Sequence, residues 1–208
     1  MRRRLVTMSR ALVVIDVQES FRQRPTWQAM GNQQIADQVS RLVDAARTAG
    51  DPVIWVLHAE PGSGTVFDPV RGYVKLIDGL AAREDEPQIV KTSANAFTTT
   101  NLHQQLTQRH VREVTICGIR TEQCCETTAR VASDLGYAVT FVTDATTTSA
   151  IPHPDAPTEQ TVAELLADPR TMSAADVIER TERVLAAREF ATIATTDEMV
   201  GLAGAVAR

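Results

Sequence analysis

Aromatic side chains are scarce in this chain, at 4% of 208 residues. A surface built to stack nucleic-acid bases needs more of them. Positive charge is also in deficit: 21 Lys and Arg face 26 Asp and Glu, a net charge of −5 that gives no attraction to a phosphate backbone or an anionic bilayer. Neither nucleic acid nor a membrane is expected as a partner. Cysteine is rare, three residues with two of them adjacent, an odd number that makes no disulfide framework and fits a reducing cytoplasm. No apolar run approaches the ~20 residues of a membrane span. The first residues, Met1-Arg2-Arg3-Arg4, are basic, but no apolar segment of signal-peptide length follows before Ser9-Arg10. Residues 1–10 are expected to be a disordered lead-in, with Met8 as an alternative start to Met1, and residues 11–208 the folded domain. The patterns Gly-x-Gly-x-x-Gly, phosphate loop and His-Glu-x-x-His are missing too, which leaves nucleotide cofactors and zincin chemistry without support.

What the chain does have is apolar side chains, 43% of it. That suffices for the core of one α/β domain, and the length is short for two. Runs at 11–17, 52–58, 89–91, 114–119, 137–142 and 190–194 read as strands buried on both faces. Between them lie segments of helical spacing. At 33–49, Ile35, Val39, Leu42, Val43 and Ala46 share a face and Gly50 stops the helix. A second helix is marked by Leu102, Leu106 and Val111, and a third runs from Thr121 as N-cap to Gly136. Later helices are expected at 173–187, capped by Ser173, and at the C-terminus, capped by Thr196. Residues 146–172, rich in Thr and Pro, read as a surface excursion with a short helix at 162–166. Strands alternating with helices predict a doubly wound, mainly parallel six-stranded sheet with helices on both faces, a Rossmann-like α/β domain.

In such sheets, ligands bind beyond the carboxyl ends of the strands. Asp16, His58, Lys91, the Gly118-Ile119-Arg120 turn and Asp144 all fall at predicted strand ends, so one edge is expected to gather them. Cys124 falls in the first turn of the third helix, where unpaired amides and the positive end of the helix dipole favour a thiolate. An acid, an ammonium and a helix-start cysteine on one rim fit nucleophilic catalysis. Adjacent helix residues point ~100° apart, so at most one of Cys124 and Cys125 faces the rim. Cys125, Ala129, Ala132 and Leu135 form a candidate buried stripe, which leaves Cys124 for the site. Cys117, inside a strand, is expected to be packing.

The motifs Ile15-Asp16-Val17-Gln18 with Phe21, Lys91 with Ala96-Phe97 and Thr100-x-Leu102, and Gly118-x-x-Thr121-x-x-Cys124 with Thr128-Ala129 and Asp144-Ala145 follow in that order. Over residues 11 to 146 this pattern resembles the isochorismatase-like cysteine hydrolases, which include nicotinamidases, N-carbamoylsarcosine amidohydrolases and ureidoacrylate or biuret amidohydrolases. The resemblance implies a catalytic triad of Asp16, Lys91 and Cys124. It also implies a non-proline cis peptide at Ile119–Arg120 and an oxyanion hole made by the backbone N–H groups of Arg120 and Cys124. The implied activity is cofactor-independent, cysteine-dependent cleavage of a C–N bond in a small amide, ureido or carbamoyl compound through a thioester. A homodimer or homotetramer is the assembly expected from the family. Gln18, Phe21, His58 and Arg120 are the expected pocket residues. Arg120 has two open roles, since its fork of donors suits a substrate carboxylate or a neighbouring subunit.

In nicotinamidases, the loop after the second strand carries an Asp-x-His pair and further histidines that bind a metal. Here it reads His58-Ala59-Glu60-Pro61-Gly62-Ser63-Gly64, and the next histidine is His103. One His and one Glu fall short of the three protein ligands such a site normally needs. No metal is expected, and nicotinamidase activity in particular is disfavoured. His103, His110 and His153 are expected to be solvated, and 59–72 is the first candidate substrate loop. Two alternatives stay open. One is an isochorismatase-type enol-ether hydrolase, an activity that in the family can proceed without the cysteine. The other is a non-catalytic oligomeric scaffold, against which an intact Asp16, Lys91 and Cys124 speak.

Overall fold

A computed structural model describes residues 9–206. Its strands are β1 (Ser9–Ile15), β2 (Val53–His58), β3 (Gln88–Lys91), β4 (Val111–Ile119), β5 (Ala138–Thr147) and β6 (Thr192–Ala194). The α-helices are α1 (Glu19–Arg22), α2 (Ile35–Ala49), α3 (Leu102–Gln108), α4 (Glu126–Asp134), α5 (Val162–Ala167), α6 (Ala174–Ala187) and α7 (Thr196–Val206). All strand pairings are parallel and the order is β3-β2-β1-β4-β5-β6. The order reverses between β1 and β4, and a crevice opens at such a switch point beyond the strand ends.

Two-residue alternation along the strands sorts the core into two layers. Ala11, Val13 and Ile15 of β1 pack with Leu102 and Leu106 of α3, Ala129 and Ala132 of α4, and Leu185 of α6. Leu12 and Val14 face the other way, onto Ile35, Val39, Leu42 and Val43 of α2 and Met199 of α7. Both faces of the central strands are therefore covered, which is why β1 and β2 read as continuous apolar runs. Full burial of each such Val, Leu, Ile or Met side chain contributes about 1.5–3 kcal/mol. Gly50, in the left-handed region at φ 74°, closes α2 by donating its N–H to Ala46 and Arg47.

Several boundaries differ from expectation. β1 begins at Ser9, paired with Val111, and Arg10 is held by Asp51 at 2.8 Å; the rest of the expected lead-in, residues 1–8, lies outside the described residues. Val111 opens β4 instead of closing α3. Leu135 is 44% exposed, so the buried stripe of α4 stops at Ala132. Ser173 does cap α6, in a reciprocal box with Asp176. At α7 the equivalent box belongs to Thr195 and Glu198. Thr196 donates its N–H and Oγ–H to Asp144 Oδ1 instead, at 2.7 and 2.9 Å. Among the described residues no helix is long and apolar enough to cross a membrane.

Candidate active site

The rim is organised by a close approach of β1 and β4. Gly118 sits opposite Ile15 at φ 132°, and a Cβ there would lie 1.9 Å from the Ile15 carbonyl oxygen. Only glycine lets the two strands meet this tightly at their ends. One residue beyond β1, Asp16 adopts φ 53°, a left-handed conformation that costs a non-glycine residue about 1–3 kcal/mol. Its N–H is tied to Val56 and its carbonyl to Gln18 N–H, both at 2.8 Å.

The structure brings Asp16, Lys91 and Cys124 together. Lys91 Nζ lies 2.7 Å from Asp16 Oδ2, 3.4 Å from Cys124 Sγ and 3.1 Å from the Ser93 carbonyl. Asp16 and Lys91 are fully buried and Cys124 is 6% exposed. Asp16 Oδ1 has no hydrogen-bond partner. Burial raises the Asp16 carboxyl above the ordinary carboxylate range, and the adjacent Lys91 ammonium only partly offsets this. Burial would discharge Lys91, but the Asp16 charge outweighs it and the lysine is held charged. The thiol of Cys124 departs from expectation. Burial, followed by the Asp16 charge, pushes it up to about 12 against the opposing pull of Lys91. Desolvation thus defeats the helix-terminus effect, and the resting cysteine is a thiol.

Local structure around Cys124 also differs from a capped α-helix. Residues Thr121–Cys125 form a π turn running into α4. Thr121 does not cap it; its hydroxyl donates to Thr146 Oγ at 2.9 Å. The Arg120 carbonyl accepts N–H groups from Gln123 at 3.3 Å and Cys125 at 3.0 Å, passing over Cys124. Such π insertions cluster at functional sites. The peptide bond Ile119–Arg120 is cis. Thr128 Oγ bonds the Cys124 carbonyl at 2.6 Å and accepts the Ala96 N–H at 3.0 Å, clamping the turn to the segment after β3. Cys125 is fully buried in the core layer of α4, and Cys117 in the opposite layer.

Of the expected pocket residues, Gln18 is fully buried and fully engaged. Its side-chain N–H groups donate to Ser20 Oγ and the His58 carbonyl, and its oxygen accepts the His58 N–H at 2.7 Å. It bolts the end of β1 to the end of β2 and has no exposed surface for a substrate. His58 Nδ1 lies 3.4 Å from Lys91 Nζ, and its Nε2 lies 3.4 Å from Glu60. Phe21 is 7% exposed and packs edge-on against Phe67, 5.0 Å between centroids. Phe67 also meets His58; nothing in the sequence singled it out, because loop 59–72 carries no periodic pattern. The guanidinium carbon of Arg120 lies 5.8 Å from the centre of the Phe21 ring.

Asp144 does not join the rim. While β4 advances from Ile116 to Gly118, β5 advances from Phe141 to Thr146, and this bulge leaves Asp144 exposed, where it holds α7. His103 bonds Tyr137 at 3.0 Å on an exposed helix face. Among the described residues, no group of three or more His, Cys, Asp or Glu is placed to hold a metal ion.

Comparison with known proteins adds an independent line. The family model of the isochorismatase domain matches residues 10–172. A "probable inactive nicotinamidase" of Arabidopsis thaliana is 36% identical over 155 residues, 65% of this chain and 79% of that protein. Among solved structures, an isochorismatase of Pseudomonas putida KT2440 is 30% identical with a TM-score of 0.77, covering 91% of this chain and 89% of its own. A cysteine hydrolase of Pseudomonas syringae pv. phaseolicola 1448A is 25% identical with a TM-score of 0.78, covering 95% and 93%.

Proposed function

This chain belongs to the isochorismatase family and is a hydrolase, and on that premise we propose that it cleaves the C–N bond of a small amide, ureido or carbamoyl compound with Cys124 as nucleophile. One observation carries this reading: a thiol, a carboxylate and an ammonium from three different segments meet within hydrogen-bonding distance of the shared Lys91 Nζ. As the Cys124 sulfur attacks the carbonyl carbon, its proton passes to Asp16, so no free thiolate has to persist in a site that pushes the thiol up to about 12. Lys91 neutralises whichever partner is anionic at each stage. The amides of Arg120 and Cys124 donate to the oxyanion, a role helped by the π turn, which leaves the Cys124 N–H out of the Arg120 carbonyl's bonds.

Asp16 then gives the proton to the leaving nitrogen as the C–N bond breaks, leaving a thioester. Water enters, loses a proton to Asp16 and attacks the acyl carbon. The C–S bond breaks, the thiol regains its proton, and the balance is amide plus water giving acid plus amine. Three free cysteines suit a reducing setting, so the proposal includes a cytoplasmic location.

The test is ammonia release from a panel of small amides and ureido acids, with Cys124→Ala as the blank. Turnover by the native protein and none by the variant is the expected result. Vinyl-ether cleavage that survives Cys124→Ala would instead favour the enol-ether reading.

A further inference from the structure

Arg120 is a charged strand-end residue that the triad leaves unused. Half-buried Arg10, Arg47 and Arg130 each hold a carboxylate, Asp51, Glu86 and Glu126 respectively. Arg120 is also half-buried, yet no described carboxylate forms an ion pair with it, and its buried Nε–H has no partner. The nearest charges compound the problem. Arg24, likewise without an ion pair, repels it, and Glu122 attracts it from beyond ion-pair reach, with its own buried Oε2 unfilled. Both Arg120 and Arg24 therefore stand without a paired carboxylate in a chain that is acidic overall. Withdrawing an arginine from water without a counter-ion is costly, and the cost is recovered when an anion fills the fork.

The placement is that of a substrate-binding group. Arg120 supplies the turn beside the thiol, a charge on Cys124 would be felt by its guanidinium, and Phe21 lies under that guanidinium. We infer that Arg120, seconded by Arg24, is an anion subsite, so that the substrate is an amide or ureide carrying a carboxylate a few bonds from the scissile carbonyl. This rests on the hydrolase reading above and names the substrate class for it. Arginine suits the task because its planar fork meets a carboxylate with two parallel hydrogen bonds.

Succinate, which has carboxylates but no scissile bond, separates binding from chemistry. Calorimetric titration of Cys124→Ala with succinate is expected to give binding that weakens about tenfold to a hundredfold when Arg120→Gln is added. Arg120→Lys should recover part of that loss, and Arg24→Gln should give a smaller one. With Cys124 intact, the kcat/KM ratio of succinamate to succinamide should fall in the same order across these variants. If Arg120→Gln does not fold, Arg24→Gln and Arg120→Lys carry the test alone, and unchanged succinate affinity in both overturns the subsite. Succinate that binds equally with and without the Arg120 side chain, or binds neither protein, also overturns it. Arg120-dependent succinate binding with no amide hydrolysed would uphold the subsite and overturn the amidohydrolase proposal.

Discussion

Two acid–cation pairs stand at opposite ends of the same sheet, and they are built differently. Beyond the carboxyl ends, Asp16 and Lys91 share one 2.7 Å contact, and Asp16 Oδ1 accepts nothing. At the other end, just before β3, Glu86 is held by four donors. It accepts Arg47 Nε–H at 2.7 Å, Arg47 Nη2–H at 2.9 Å, Trp55 Nε1–H at 2.7 Å and the Arg83 N–H at 2.9 Å. Burial would raise the Glu86 carboxyl, but these donors win and hold it at about 2. Burial does raise Asp16, because one lysine cannot replace the lost water. A carboxylate held by four donors is a rivet. One left short of donors and close to a thiol can take up and release a proton.

Breaking the rim pair should have the largest effect. Lys91→Met leaves Asp16 as an uncompensated buried acid and is expected to cost about 3–5 kcal/mol and most of the turnover. Adding Asp16→Asn should recover much of the stability and none of the activity. Urea denaturation and ammonia release read the two quantities separately. The charge on Asp16 also governs the thiol: it raises Cys124, while Lys91 lowers it. Iodoacetamide should therefore label Cys124 slowly at pH 7, and Asp16→Asn should accelerate labelling. A slower rate in the variant would show that the carboxylate activates the resting thiol.

The Glu86 pair should respond in the opposite sense. Its folded value of about 2 lies below the ordinary 4.5, so its stabilisation is present above pH ~4.5 and fades as pH falls toward 2. Glu86→Gln should cost about 1–3 kcal/mol at neutral pH, flatten that acid dependence and leave turnover intact. The smallest effect belongs to Asp144→Ala, which removes an acceptor at the start of α7 for about 1 kcal/mol. Turnover should not change. A large loss of activity there would return Asp144 to the rim.

The layers of the fold were legible because both faces of the central strands are covered, so β1 and β2 wrote themselves as apolar runs and α2 as five buried residues on one face. The strand-end rule then placed Asp16, His58 and Lys91 correctly. It misplaced Asp144 because a bulge inside β5 leaves the alternation of Phe141, Val142 and Ala145 looking like an ordinary strand end. The π turn at Thr121–Cys125 was invisible for a similar reason, since Thr-x-x-Cys reads equally well as a capped α-helix. Gln18 was recognisable as part of a motif, but its service as a tie between β1 and β2 depends on His58, forty residues later in the chain. The inert resting thiol needed burial to be known, and burial is a tertiary property.

The proposed mechanism turns on Cys124 carrying the acyl group. Intact-mass spectrometry of protein acid-quenched during turnover, using whichever amide releases ammonia, tests it directly. An acyl adduct on Cys124 is expected, lost together with ammonia release in Cys124→Ala. Undiminished ammonia release from Cys124→Ala, with no adduct on the native protein, would contradict it.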